Sequence, residues 1–237
     1  VFANAIPKSG THLLERILCL HPQISRVFRK KLFSANITAH GGWEKSIAHL
    51  ARGRMLLVHA DYDPATHDAI RIHDVRHILM VRDPRAIVLS QARYILGNER
   101  HEFHRHVRGR NLDYALDFCL YEPVCWGGET FIDTCCRYSG WSEHDDVLIV
   151  RYEDLASLDL QKRTEEITRL YGFLFPRTDD RLVRNVARNA VSAASQTFHS
   201  GIIDAWRDGM TPAVAEKIYD YCADHFACFG YHKAGPR

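Results

Sequence analysis

The chain has 237 residues, 46% of them apolar and 25% charged, with a formal net charge of +2 at pH 7. That length supports one large domain with a substantial core, so a single domain over residues 1–237 is expected. The small net charge excludes wholesale attraction to nucleic acid or to an anionic membrane, and a polyanionic ligand would have to be held by local clusters of cations.

The first stretch, Phe2 to Leu14, reads as strand, turn and helix. A short apolar run ends at Pro7, a Lys8-Ser9-Gly10-Thr11 turn follows, and Leu13, Leu14, Ile17 and Leu18 repeat at helical spacing until His21-Pro22. The unpaired backbone N–H groups at such a helix start, together with the helix dipole, favour an anion. Lys8 adds a full charge, and Ser9 and Thr11 add hydroxyl donors, so a phosphate-bearing ligand is expected on this loop. Residues 22 to 42 have little period, and their Arg29-Lys30-Lys31 cluster reads as a solvated face, with phosphate contact as the alternative.

Trp43 to Arg52 predicts a helix stopped by Gly53. Met55 to Val58, ending at His59, and Ile78 to Val81, ending at Arg82, are continuous apolar runs of the kind buried on both faces in parallel sheets. Asp63-Pro64 and Asp83-Pro84 are cap-and-proline helix starts. Residues 97 to 111 are rich in His and Arg. His101 and His104 stand at i, i+3, but no carboxylate or thiolate joins them at ligand spacing, and no metal is expected. Helices are predicted over Asn111 to Tyr121, Phe131 to Trp141, Gln161 to Tyr171, Arg181 to Ala190 and Thr211 to about Phe226. Val147 to Val150 is another buried-type strand, closed by Arg151-Tyr152-Glu153-Asp154-Leu155, and Thr197 to Ile203 is a loop around Gly201.

Strands alternating with helical stretches predict an α/β fold in three layers, with a mostly parallel central sheet flanked by helices. Ligands bind such sheets at the carboxyl ends of the strands. Lys8, His59, Arg82 and Tyr152 each fall just after a predicted strand.

Four ordered elements resemble the sulfotransferases that use 3′-phosphoadenosine 5′-phosphosulfate (PAPS) as donor. Pro7-Lys8-Ser9-Gly10-Thr11 resembles their 5′-phosphosulfate loop. Val81-Arg82-Asp83-Pro84-Arg85 with Ser90 resembles their 3′-phosphate element. Val147 to Leu155 is similar to the strand ending in Tyr-Glu-Asp, and Phe198 to Trp206 to the late glycine loop. The resemblance implies the P-loop-like sulfotransferase fold. It assigns Lys8, Ser9, Gly10, Thr11 and His12 to the 5′-phosphate, with Lys8 also stabilising the leaving group. Arg82, Ser90, His199, Ser200 and Gly201 fall to the 3′-phosphate, Tyr152 to the adenine, and His59 to the general base. The product nucleotide would be 3′,5′-phosphoadenosine. Reserves for the base are His12, the 101–106 histidines and Glu15.

The chain departs from the cytosolic branch in four places, which suggests a divergent, bacterial-type member. His12 replaces a threonine, Leu13 stands in place of the adenine-stacking tryptophan, Leu57 replaces a catalytic-site lysine, and His199-Ser200 replaces an Arg-Lys pair. These departures keep open an alternative, a catalytically inactive nucleotide-binding regulator or scaffold. A P-loop kinase is disfavoured because Lys8 precedes its glycine. The acceptor is expected to be a small molecule or glycan, recognised by segments 22–55 and 96–140 and by aromatics such as Phe33, Trp43, Tyr62, Phe103 and Trp126. Arg207, Thr211 and Glu216 resemble the family's dimer motif, though Pro212 departs from it, which implies a homodimer. The seven cysteines are odd in number, and Cys135 and Cys136 are adjacent, so no disulfide framework is expected. With no run near 18 apolar residues and no signal peptide, a cytoplasmic protein without a membrane span is expected; an upstream segment is expected to be missing before Val1.

Overall fold

The computed structural model describes residues 1–27, 31–125, 127–191, 203–233 and 235–236. The first elements are β1 (Phe2–Ala5), α1 (Thr11–Cys19), two two-residue strands β2 (Ser25–Arg26) and β3 (Leu32–Phe33), a 3-10 helix (Ser34–His40), α2 (Gly42–Ala48), β4 (Arg54–His59), α3 (Pro64–Ile72) and β5 (His77–Val81). Next come α4 (Pro84–Gly97), α5 (His104–Val107), α6 (Leu112–Tyr121), α7 (Phe131–Cys136) and a 3-10 helix (Ser139–Glu143). The chain continues through β6 (Val147–Arg151), α8 (Tyr152–Leu155), α9 (Leu160–Leu174), α10 (Asp180–Asn189), α11 (Ala205–Gly209), α12 (Pro212–Phe226), β7 (Tyr231–His232) and β8 (Gly235–Pro236). Helix α2 ends well before the Gly53 stop, and the helix expected to run to Trp141 breaks into α7 and a 3-10 turn.

Two compact units form: Val1–Val81 with Gly140–Ile203, and Arg82–Ser139 with Asp204–Arg237. The first carries a parallel sheet in the order β2-β4-β1-β5-β6, with β3 also paired to β4. Alternation along the strands divides the core. Ala3, Ala5, Met55, Leu57, Ile78 and Met80 face a cluster with Leu14, Ile17 and Leu18 of α1, Ile167, Leu170 and Tyr171 of α9, and Val183 and Val186 of α10. Phe2 and His77 point the other way. Phe2 meets Trp43 of α2 at 5.5 Å, and His77 meets Trp141 at 4.4 Å, both edge-on. The sheet is thus flanked by helices, as the pattern of elements predicts.

In the second unit, α4 packs against α5, α6, α11 and α12, and α12 packs against α7. Its buried centre is polar as well as apolar. Arg85 donates from Nε to Asp83 Oδ1 at 2.8 Å and from Nη2 to Asp83 Oδ2 at 2.6 Å, and its guanidinium lies 3.9 Å from the Trp206 ring centroid. Asp83 also caps α4 by accepting the Arg85 backbone N–H, so the Asp-Pro start read from the sequence is realised. All seven cysteines are free. No helix among the described residues is long and apolar enough to cross a membrane.

Candidate active site

Strand β1 is the switch point of the sheet, with β4 on one side and β5 on the other. Open parallel sheets leave a crevice beyond the carboxyl ends of such strands. The chain leaves β1 there and turns tightly. Ile6 N–H donates to Met80 O at 3.0 Å, and Ser9 N–H donates back to Ile6 O at 3.0 Å. Lys8 has φ 68° and Gly10 φ 103°, both left-handed. For glycine that conformation is unstrained, but for lysine it costs about 1–2 kcal/mol and is held only where the surroundings dictate it. Gly10 is the N-cap residue of α1 and offers no side-chain cap. The first amides of α1 therefore lack a side-chain acceptor, the condition under which a helix start receives an anion.

Two loop residues differ from the plain reading. Ser9 is fully buried and donates its hydroxyl proton to Met80 O at 3.0 Å, so it pins the loop to β5. Gly10 is needed for space as well as for its φ, since a Cβ there would lie 2.4 Å from Tyr152 Cδ2. Tyr152, the first residue of α8 after β6, thus packs directly on the loop backbone.

His59 closes β4 beside this loop. It is buried, and Nδ1–H donates to Ala5 O at 2.7 Å. That bond fixes the tautomer and leaves the lone pair on Nε2. Burial lowers its pKa to about 4; the Ala5 bond opposes this, and Lys31, His12 and Lys8 add to the lowering. The imidazole is therefore neutral at pH 7. The Phe33 ring, 41% exposed, lies 5.0 Å from it. Asn4, fully buried, holds the same strand end: it donates to Ala60 O at 2.7 Å and accepts from Ala60 N–H and Ala5 N–H at 2.9 Å each. Trp141 Nε1–H also donates to Ala60 O, at 3.1 Å.

The other sequence candidates are placed as follows. His12 is on the exposed side of α1, with Nδ1 3.4 Å from Glu15 Oε2 and Nε2 3.3 Å from Lys31 Nζ. Glu15 also pairs with Arg26. Its hydrogen bond from His12 outweighs burial and, with Arg26, holds its carboxyl below the usual range, which makes it a poor base. Arg82 follows β5 directly, and Ser90 lies half-buried on α4 in the second unit. Asp83 is gripped by Arg85. His199, Ser200 and Gly201 lie outside the described residues, as do Arg29, Lys30 and Trp126.

A sulfotransferase-domain family model matches residues 1–230. The chain belongs to the sulfotransferase family. Among solved structures, this sulfotransferase is similar to mouse sulfotransferase SULT7A1 complexed with PAP, with a TM-score of 0.68 and 16% identity over 95% of this chain and 84% of that one. It is also similar to retinol dehydratase in complex with androsterone and inactive cofactor PAP, with a TM-score of 0.62 and 12% identity over 95% and 80% of the two chains. At these identities the likeness shows the fold. No curated protein sequence matches the chain.

Three features of the sulfotransferase were not read from its sequence. Lys31, in a cluster that reads as a solvated face or a phosphate contact, is half-buried against His12. Asn4 is another, and an amide side chain inside an apolar tetrapeptide is a signal of a buried hydrogen-bonding task. The third is a cluster on the second face of the sheet. His67, His144 and Asp146 bring ligand-type atoms within 4.8 Å of one another. Their bonds are already committed: His67 Nε2 to Asp146 at 2.9 Å, His144 Nε2 to the Tyr62 hydroxyl at 3.0 Å, with the two imidazoles stacked at 3.8 Å. His101 and His104 form no such group; His104 Nδ1–H donates to Ile95 O at 2.8 Å, and His101 packs on Tyr94 and Phe103.

Proposed function

We propose that the enzyme transfers a sulfuryl group from PAPS to a hydroxyl or amine of a small-molecule or glycan acceptor, and that residues 1–237 act as one sulfotransferase domain. The observation that carries this reading is the turn at Lys8 to Thr11: a strained lysine and a left-handed glycine lead into an uncapped helix start at the switch point of a parallel sheet, beside a neutral, oriented histidine. Such a turn suits a phosphate with a bond to be broken next to it.

The roles follow from the chemistry. Lys8 and the backbone amides of Gly10, Thr11 and His12 would receive the 5′-phosphate, with Ser9 holding the loop in shape. Tyr152 is assigned to the adenine. Arg82 and Ser90 are assigned to the 3′-phosphate, with His199, Ser200 and Gly201. No step needs a metal, because Lys8 can neutralise the charge that develops on the bridging oxygen as the S–O bond breaks. An ammonium placed there binds the transition state more tightly than the ground state, which raises the rate.

His59 would accept the acceptor's proton at Nε2, since Nδ1–H is engaged by Ala5 O. A base with pKa about 4 is weak. Part of that weakness comes from neighbouring cations, and an anionic donor would oppose their field and raise the basicity of Nε2 when it is needed.

A thermal-shift panel and a transfer assay test the reading. Stabilisation by 3′,5′-phosphoadenosine, together with labelled sulfate passing from PAPS to a member of a broad acceptor library, is expected. Stabilisation by ATP with magnesium but not by 3′,5′-phosphoadenosine would reverse it. Nucleotide binding without transfer to any acceptor would reduce the protein to a binding module.

A further inference from the structure

Lys31 is the cation near His59 to which the roles above give no task. Its position is set by the sheet. It precedes β3, whose Leu32 and Phe33 pair in parallel with Val58 and His59, so it stands beside the carboxyl end of β4. Its Nζ reaches the first turn of α1, 3.3 Å from His12 Nε2. The ammonium therefore lies between the end of β4 and the helix start that follows the Lys8 turn, two elements that already frame the proposed reaction centre.

The surroundings of Lys31 are wrong for a structural ion pair. The carboxylate near it, Glu15, is engaged on one oxygen by Arg26 and on the other by His12. His12 turns Nδ1 to Glu15 and Nε2 to Lys31, so Lys31 contacts an imidazole and no carboxylate among the described residues. Burial pushes its pKa down; Glu15 opposes this and Arg26 adds to it. Lys8 and Lys31 also both depress the basicity of His59, so the two ammonium groups act on the same small region. Lys31, half-buried and without a carboxylate in contact among the described residues, is a cation whose charge an arriving anion would compensate.

We propose that Lys31 is a second catalytic cation, whose ammonium hydrogen-bonds the non-bridging oxygens of the sulfuryl group during transfer, with His12 holding it in place. The inference rests on the sulfuryl-transfer reading and adds a residue to it. In the step, a lone pair of the acceptor oxygen or nitrogen forms the new bond to sulfur. The bond from sulfur to the bridging oxygen breaks, and its electron pair stays on the 5′-phosphate of the departing 3′,5′-phosphoadenosine. The acceptor's proton passes to His59 Nε2. Lys31 neither gains nor loses a proton; it compensates charge on the group in flight, while Lys8 compensates charge on the group that leaves.

Division of labour between the two lysines makes the test specific. Lys31→Met and Lys31→Arg are compared with wild type in three measurements: kcat and KM for PAPS turnover, the affinity for 3′,5′-phosphoadenosine by calorimetry, and the thermal midpoint. Because the product nucleotide has no sulfuryl group, Lys31→Met is expected to bind it within about twofold of wild type while kcat falls about 100-fold or more. Lys31→Arg, which keeps the charge, is expected to recover at least about tenfold of that loss. The inference is overturned if kcat of Lys31→Met stays within about threefold of wild type, or if nucleotide affinity and kcat fall in parallel, which would put Lys31 on the nucleotide. A wild-type protein that sulfates nothing would instead remove the parent reading, and this inference with it.

Discussion

Replacing Asn4 by alanine should destabilise the first unit far more than its size suggests. The side chain is fully buried and makes three hydrogen bonds, one to Ala60 O and two from the backbone N–H groups of Ala60 and Ala5. After truncation Ala60 O keeps its bond from Trp141 Nε1–H and Ala5 N–H stays in the β1–β4 ladder, but the Ala60 amide loses its acceptor. Both residues are fully buried. An orphaned buried donor costs about 1–3 kcal/mol, so the substitution should cost about 2 kcal/mol or more. Urea unfolding followed by far-UV circular dichroism reads this as a fall in midpoint at unchanged slope. Because Ala60 follows His59 and Ala5 O orients its ring, PAPS turnover should fall as well, with 3′,5′-phosphoadenosine affinity nearly unchanged. A loss below about 1 kcal/mol would refute the reasoning, since it would mean that relaxation or water restores a partner to the Ala60 amide.

Three further outcomes follow from single observations. His77 is fully buried with neither ring nitrogen bonded among the described residues, and burial lowers its pKa to about 3. Its folded pKa lies below its unfolded value of 6.5, so its contribution is complete above pH 6.5 and is lost as pH falls toward 3. His77→Phe should therefore gain about 2 kcal/mol on wild type between pH 7 and pH 5 in urea unfolding, and parallel profiles would count against it. Arg85→Met strands the buried Asp83 carboxylate and should cost about 3–5 kcal/mol, whereas Asp83→Asn with Arg85→Met should cost less than the sum of the single changes; additive losses in that cycle would contradict the pairing. Gly10→Ala meets both the left-handed φ and the Tyr152 ring, and should weaken 3′,5′-phosphoadenosine binding about tenfold or more in calorimetry. Unchanged affinity would mean that the turn can move.

Elements with long, one-sided patterns were legible. The apolar runs of β4, β5 and β6 and the helix starts at Asp63, Asp83 and Thr211 could be placed because each is local chemistry: apolar continuity, or a side-chain oxygen that caps a proline-led turn. Sheet order was not legible, because β1 lies between β4 and β5 only through crossovers that pair residues distant in sequence. Strands β2 and β3 are too short to show alternation, and the role of Lys31 depends on β3 pairing with β4. The phosphate-loop residues are legible as a group, but Ser9 reads as a hydroxyl donor to the phosphate, whereas its hydroxyl donates to Met80 O because the loop turns it inward. The left-handed turn at Lys8 has no sequence signal, since lysine does not ordinarily adopt it.

Lys8 is the residue on which the account depends most. Its test is the single-turnover rate of sulfuryl transfer from saturating PAPS to an acceptor identified in the library screen, compared between wild type and Lys8→Ala, with product followed by mass spectrometry. The account predicts sulfated product from wild type and a rate about 100-fold or more lower for Lys8→Ala. Equal rates for the two proteins would contradict it.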